Sequence, residues 1–338
     1  MTIALITLLL TIAFAALFDM TNGWNDAANA IATVISTRVL SPAKAIVFGA
    51  VLNFVGALFS SAVATTVGHK LAAAEYLTGA TFLAAVMTAP FWITFCSRRG
   101  LPNSCSHALL GALMGAVIAS ARGLHGLNLT YIGMVFFGVL ICPVAAFILG
   151  NLIARVVTYC FERARPAMAG VVFGRLQLVS AGAMAFAHGT GDAQKAMGII
   201  SGALVAYAWA AHGQHIPFEI PMWVRLMAAS AMALGTSLGG WRVMRTLGSK
   251  LAHLRTYQGF SAETAASTTI LLNTLGGIPI STTHSITGAI LGVGAERGAR
   301  MVRWGVGKKI VFAWIVTFPI CIVAGAAVYL LLRWAGIN

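Results

Sequence analysis

Acidic residues are scarce in this sequence. Asp and Glu number eight against 22 Lys and Arg in 338 residues, and charged residues of both signs make up only 9%. A soluble domain carries about 25%, so this scarcity excludes a water-soluble globule of the same length. Cysteine is sparser still. Cys96, Cys105, Cys142, Cys160 and Cys321 form no C-x-x-C pair, which excludes a disulfide framework and leaves them as small packing residues. No H-E-x-x-H zinc motif, Walker A loop or dinucleotide fingerprint is present. An ATP-driven pump and a membrane-embedded enzyme are therefore the weakest readings, and no bound cofactor is expected. No basic residue precedes Arg38, which argues against a cleaved signal peptide; Thr2 to Met20 reads as a retained membrane helix.

What the chain has in abundance is apolar length. Hydrophobic residues make up 59% and the mean hydropathy is +0.87. Apolar segments recur at 2–38, 45–68, 78–96, 103–121, 129–153, 176–209, 220–239, 257–276, 280–295 and 310–332, most of them near the roughly 20 residues of a helical span. The first and sixth are longer, and both are expected to be broken. Continuous apolarity without a period of two selects helices over a barrel. The fold class is an all-α polytopic membrane protein of about 10–12 membrane segments, including broken helices and re-entrant hairpins.

The net charge of +14 comes from basic clusters between apolar runs, at 38–44, 98–99, 155–175, 242–255 and 297–309. That is the pattern of cytoplasmic loops. The expected partner is the lipid bilayer with its anionic headgroups, not nucleic acid. Two crossings separate each neighbouring pair of clusters, so all five can face the cytoplasm with both termini outside.

The chain also repeats itself. Leu101 to Gly115 aligns without gaps on Ile278 to Gly292, with Pro, Ser, His, Gly, Ala and Gly coinciding. Gly23 to Ala30 aligns on Gly189 to Ala196, so each half carries an Asp motif followed by a Ser/Thr–His motif. Asp26 to His107 spans 81 positions and Asp192 to His284 spans 92; an insertion near 241–256 is expected to explain the difference. The predicted crossings run 2–38 inward and 176–209 outward. Residues 1–154 then form a first inverted repeat, 155–175 a basic cytoplasmic linker, and 176–338 a second inverted repeat. Many secondary transporters are built this way, with substrate held between the repeats.

The motifs carry the chemistry. Asn22, Asn25, Asp26 and Asn29 stand within one apolar segment, with Gly23 at the expected break. A carboxylate there costs several kcal/mol unless it is paired, protonated or bound to a cation. Asn25 and Asp26 can give hard oxygen ligands to Na⁺, or Asp26 can carry a proton. Capping of a broken helix is the plainer alternative, disfavoured because the carboxylate recurs as Asp192. Beside Asp192, Lys195 either attracts an anion or neutralises the carboxylate, and the sequence leaves both open. Ser104 and Ser106, and Ser281, Thr282 and Thr283, follow a Pro and precede an apolar run, the pattern of a helix start. Such starts favour phosphate-like anions. A single copy is explained equally well by hydroxyls bonding back to their own helix; two copies in register shift the balance toward binding. His107 and His284 are read first as buried hydrogen-bond donors, with a proton relay as the sharper alternative. Asn53, Thr66 and Asn273 are read as helix–helix glue, and Glu263 is the best secondary candidate for a cation ligand.

With these residues in view, the chain resembles the inorganic phosphate transporter (PiT) family. The signature G-x-N-D-x-A-N-A resembles Gly23 to Ala30, and H-G-x-N-D-x-Q-K-x-M-G resembles His188 to Gly198. The hairpin motifs are similar to Ser104–Gly111 and Pro279–Gly288, and the resemblance covers essentially the whole chain. It implies an inverted-repeat bundle, a homodimer in the cell's inner (plasma) membrane, and symport of phosphate with Na⁺ or H⁺. Carried over by position, Asn25, Asp26 and Asp192 form the cation and phosphate core, and Ser104, Ser106, Ser281, Thr282 and Thr283 surround phosphate. Gly191 departs from the pattern, standing where the family usually has Asn, which puts one cation site and Na⁺ coupling in question. The rivals are a sulfate permease on the same scaffold and an uncoupled anion channel. The channel is disfavoured because Lys195 is the one basic residue expected inside the membrane.

Overall fold

The computed structural model describes residues 2–337, and among them the regular structure is helical apart from two isolated bridges, Ala72–Leu127 and Ala252–Val302. The first elements are α1 (Ile3–Ser36), α2 (Pro42–Ala57), α3 (Ala62–Thr65), α4 (Gly79–Arg98), α5 (Cys105–Ala121) and α6 (Leu129–Cys160). They are followed by α7 (Pro166–His212), α8 (Met222–Leu238), α9 (Trp241–Arg245), α10 (Thr256–Leu275), α11 (Thr282–Ala295) and α12 (Trp304–Trp334). The short α3 and α9 each run on into one widened turn, Thr66–Lys70 and Thr246–Lys250. The helices α4 and α10 both have 20 residues, and α6 and α12 each carry an internal proline, Pro143 and Pro319.

Five helices (α1, α4, α6, α7 and α12) are each long and apolar enough to cross a membrane, and α2 with α3 and its widened turn makes a sixth stretch bent by 63°. Helices α5 and α11 differ from these. At 17 and 14 residues they reach about 26 and 21 Å, short of the roughly 30 Å hydrocarbon core. Both are buried along nearly their whole length. Each follows a 20-residue helix through a short loop, which fits the expected re-entrant hairpins. The halves interlock: α5 packs against α12 and α11 against α6, while α1 packs on α8 and α7 on α2. The outer faces are apolar; Phe137, Leu140, Val144, Ile148 and Leu152 form an exposed stripe on α6 at helical spacing, as lipid contact requires.

Two expectations need correction. The breaks expected in 2–38 and 176–209 do not occur: α1 is helical through Gly23, and α7 runs 47 residues through Gly189 and Gly191. The glycines serve close approach instead. A Cβ at Gly23 would lie 2.2 Å from the Met232 carbonyl oxygen, and one at Gly189 would lie 2.1 Å from that of Asn53. The extra length of the second half is also not near 241–256. It lies in the long C-terminal end of α7 and the extended segment 213–221 before α8.

The five basic clusters gather at one end. Arg98, Arg99, Arg242, Arg245 and Lys250 line a cavity of about 650 Å³. Arg38, Glu162, Arg255 and Arg297 border a second of about 710 Å³. Most of 155–175 is helical, belonging to the ends of α6 and α7. At the other end Tyr76 meets His125, and Arg225 reaches Ser61. The bridge Ala72–Leu127 lies at this end and Ala252–Val302 at the basic end.

Candidate functional site

The two Asp motifs meet in the interior. Asp26 on α1 and Asp192 on α7 are each about 1% exposed, as deeply buried as the Asn25, Asn29, His188 and Lys195 side chains beside them. Lys195 sits one turn from Asp192, and its Nζ lies 2.5 Å from Asp192 Oδ1. Such a pair is tolerable in an apolar interior only because the partners neutralise each other. His188 completes the group, with Nε2 3.6 Å from Asp192 Oδ2 and 3.8 Å from Asp26 Oδ2. The three side chains each offer a ligand atom within 4.8 Å of the others.

Asn53 fixes the ring of His188. Asn53 Nδ2 donates to Thr236 Oγ1 at 2.9 Å, so its Oδ1 faces His188 Nδ1 at 3.0 Å as an acceptor. Nδ1 therefore carries a proton, and Nε2 faces the two carboxylates. Asn53, expected to be helix–helix glue, is that and also sets this tautomer. Gln194 is spent elsewhere, accepting from the amides of Val63 and Ala64 at the start of α3.

The hairpin tips close the site. Ser104 and Ser281 are N-caps, their hydroxyls accepting from the amides of His107 and His284 at 3.2 Å. Both helices therefore start where the Pro–Ser pattern predicts. The N–H groups of Cys105, Ser106, Thr282 and Thr283 in the two first turns have no intrahelical partner to bond. Ser106 Oγ donates to the Ile280 carbonyl at 2.9 Å, tying one tip to the other. Thr282 Oγ1 lies 3.4 Å from Asp26 Oδ2 and 3.3 Å from Asp192 Oδ2, bridging the carboxylates. Thr283 Oγ1 donates to Asp26 Oδ1 at 3.2 Å, and Asn29 Nδ2 donates to Thr283 Oγ1 at 3.0 Å. Asn25 Nδ2 donates to Asp26 Oδ1 at 2.5 Å. These amides turn their oxygens away: Asn25 Oδ1 and Asn29 Oδ1 are buried without a hydrogen-bond donor, and the His188 ring nitrogen Nε2 is likewise buried without a hydrogen-bond partner.

Asn25, Asp26, Asn29, Asp192, Lys195, Thr282 and Thr283 are thus brought together, with Ser104, Ser106 and Ser281 building the tips. Glu263 is not among them. It takes hydrogen bonds from Thr33 Oγ1 and Ser180 Oγ, both at 2.5 Å, and from Gln177 Nε2 at 3.1 Å, holding α10 to α1 and α7. Thr33 follows Asp26 by seven residues, about 10.5 Å along α1 toward the basic end. His107 and His284 contact each other, with ring centroids 4.5 Å apart; His284 stacks on Trp314 at 3.6 Å and His107 lies against Phe318. Among the described residues neither ring bonds a carboxylate. The sequence places Asn22 in the first Asp motif and His188 in the second without assigning either a ligand role, and leaves Asp19 outside both motifs; the side-chain oxygens of Asp19 and Asn22 are buried without donors. The match of Asn22 to His188 in the two aligned motifs was the available signal.

Comparison with known proteins now decides the family: residues 22–173 and 160–325 match the phosphate transporter family. The chain belongs to it. A probable low-affinity inorganic phosphate transporter of Bacillus subtilis is 39% identical over 98% of this chain and 99% of its own length. One of Rhizobium meliloti is 40% identical over 94% of each. Among solved structures, a sodium-dependent phosphate transporter superposes with a TM-score of 0.89 at 25% identity, covering 97% of this chain and 99% of the other. As a phosphate transporter family member with several membrane-length helices, the chain is a multi-pass membrane transporter rather than an enzyme.

Proposed function

We propose that the protein imports inorganic phosphate across the cell membrane by symport with H⁺ or Na⁺. Its halves, 1–154 and 176–338, act as inverted repeats that rock to expose the site alternately. Phosphate binds where the two hairpin helices start. Four first-turn amides, the hydroxyls of Thr282 and Thr283, and Lys195 supply donors and positive charge for a tetrahedral anion. The coupling cation binds on the Asp26 side, with Asn25, Asn29 and the paired Asp192.

One observation carries this reading: amide donors from two opposed helix starts lie beside two buried carboxylates and three acceptors that lack donors. The donors suit an anion. The acceptors Asn25 Oδ1, Asn29 Oδ1 and His188 Nε2 suit a cation or a proton. Two carboxylates and one ammonium leave the cluster one negative charge in excess while His188 is neutral, and phosphate would add to it. A co-bound cation removes that repulsion. It also offsets the membrane potential, which opposes anion entry by about 2.3 kcal/mol per charge per 100 mV. The division into inverted repeats is supported by the matched element order and by the two bridges lying at opposite ends. Glu263, with its oxygens taken up by three donors, is a secondary cation position toward the basic end.

Phosphate affinity of the purified protein, measured across Na⁺ concentration and pH, tests the coupling. The expected result is an affinity that tightens with one of the two cations. An affinity indifferent to both refutes symport. In the same assay excess sulfate should displace phosphate weakly; displacement by sulfate at lower concentration than by phosphate itself would make the protein a sulfate permease.

A further inference from the structure

Asp19 is the one buried carboxylate in α1 that the site above does not use. Its relative exposure is 0%, neither carboxyl oxygen has a hydrogen-bond partner, and it forms no ion pair. Asp26, Asp192 and Glu263 each have at least two donors or cations against them. A bare carboxylate inside a membrane helix is not a stable state. Either a cation sits on it or a proton does.

The surroundings choose the proton. A hard metal cation takes about six oxygen ligands, and no side-chain oxygen bonds or bridges to Asp19 among the described residues. One proton needs only the carboxylate itself. The helices packed on this stretch are α8, through Gly235, and α4, through Pro90; Arg98 and Arg99 at the end of α4 line the same open cavity as Leu17 and Thr21, but neither pairs with Asp19. The charged side chains within electrostatic reach are Asp192 and Lys195 on α7. Asp19 therefore feels the state of the central pair without touching it.

Its placement gives that proton a path. Asp19, Asn22 and Asp26 follow at i, i+3 and i+7 on the inner face of α1, so Asp19 stands about 10.5 Å from Asp26 along the axis, on the side away from the basic end. Thr33, which holds Glu263, lies the same distance beyond Asp26. The polar amide of Asn22 occupies the turn between Asp19 and Asp26, beside the Asp192 carboxylate. The fold does not require an acid here: Ala185 occupies the matching position of α7.

We propose that Asp19 is the entry point for the coupling proton on the outer side of the central site, taking it up before the Asp26 side receives it, so that protonation of Asp19 accompanies phosphate entry. The proposal rests on the symport reading and names its ion and the residue that takes it. Protonated Asp19 is neutral, which lowers the negative potential at Asp192 and favours anion binding; release of the proton on the inner side makes the step directional.

The test uses the purified full-length protein in proteoliposomes with labelled phosphate, under an acid-outside pH gradient or an inward Na⁺ gradient, for wild type, Asp19→Asn and Asp19→Glu. Each coupled proton supports about tenfold accumulation per pH unit. Wild type and Asp19→Glu are expected to accumulate phosphate under the pH gradient, with a shifted pH dependence in the Glu variant. Asp19→Asn is expected to lose accumulation, while phosphate–phosphate exchange, which needs no net proton movement, persists and no longer varies with pH. That residual exchange reports a folded protein. Accumulation retained by Asp19→Asn, or wild-type accumulation driven by Na⁺ and not by pH, overturns the role of Asp19 while leaving symport standing. Wild-type flux indifferent to both gradients overturns the symport reading itself.

Discussion

Asp26 and Asp192 stand at matching places in the two halves, equally buried, and their surroundings are opposite. Around Asp26 the helix supplies neutral groups: Asn25 one residue before it and Asn29 one turn after it, with Thr283 from the facing hairpin. Around Asp192 the same two positions are Gly191 and Lys195. Asn25 has no side-chain counterpart there, and the amide of Asn29 is replaced by an ammonium 2.5 Å from the carboxylate. The hairpins repeat the contrast, since Cys105 stands where the other half has Thr282. One half thus carries a cation as part of the chain, and in the proposed function the other keeps oxygen ligands for a mobile one. The lesson is that matching motifs need not give two equivalent sites; under that proposal the Asn-to-Lys difference sets how many ions must be carried.

The comparison can be broken most severely at Asp26. In this account Asp26→Asn removes the carboxylate that holds the mobile cation, and cation-driven uptake should fall at least about a hundredfold, a loss of about 2.7 kcal/mol in transport. The check is labelled phosphate uptake at matched protein amounts. Lys195→Met should act on folding first. It leaves Asp192 buried without its partner, a defect that typically costs about 3–5 kcal/mol, so thermal unfolding in detergent should shift well below wild type. Changing Lys195 and Gly191 together to Asn sharpens the contrast instead of breaking it. The second half then resembles the first, and the cation dependence of uptake should steepen, read as a higher Hill coefficient.

Smaller effects are expected at the hairpin tips. Thr282→Val removes the hydroxyl that bridges the two carboxylates, worth about 1–2 kcal/mol, and the half-saturating phosphate concentration should rise roughly tenfold with little change in stability. Ser106→Ala deletes the bond to the Ile280 carbonyl across the tips and should lower stability by about 1 kcal/mol, the smallest change of the series.

Much of this was legible in the sequence. The helical class, the two Asp motifs, the hairpin starts at Ser104 and Ser281 and the clustering of basic stretches at one end all follow from composition, proline placement and self-alignment. The errors share one cause. Gly23 reads from the sequence as a helix breaker, a local property, whereas it and Gly189 serve a tertiary one: neighbouring helix backbones approach so closely that no Cβ fits. Self-alignment fixed which positions correspond but not where the halves differ in length, because the long end of α7 is apolar throughout and carries no mark of an insertion. Glu263 is legible as an intramembrane acid, but its three donors are not, since they come from helices distant in sequence. The role of Asn53 in setting the His188 tautomer was invisible for the same reason. Asp19 went unremarked because it has no partner in the repeat, and that isolation is what makes it informative.

The most direct test of the central claim is phosphate uptake into proteoliposomes under an imposed pH or Na⁺ gradient, compared between wild type and Asp26→Asn. The account predicts accumulation driven by one gradient in the wild type and abolished in the variant. Flux that ignores both gradients and is unchanged by the substitution would contradict it.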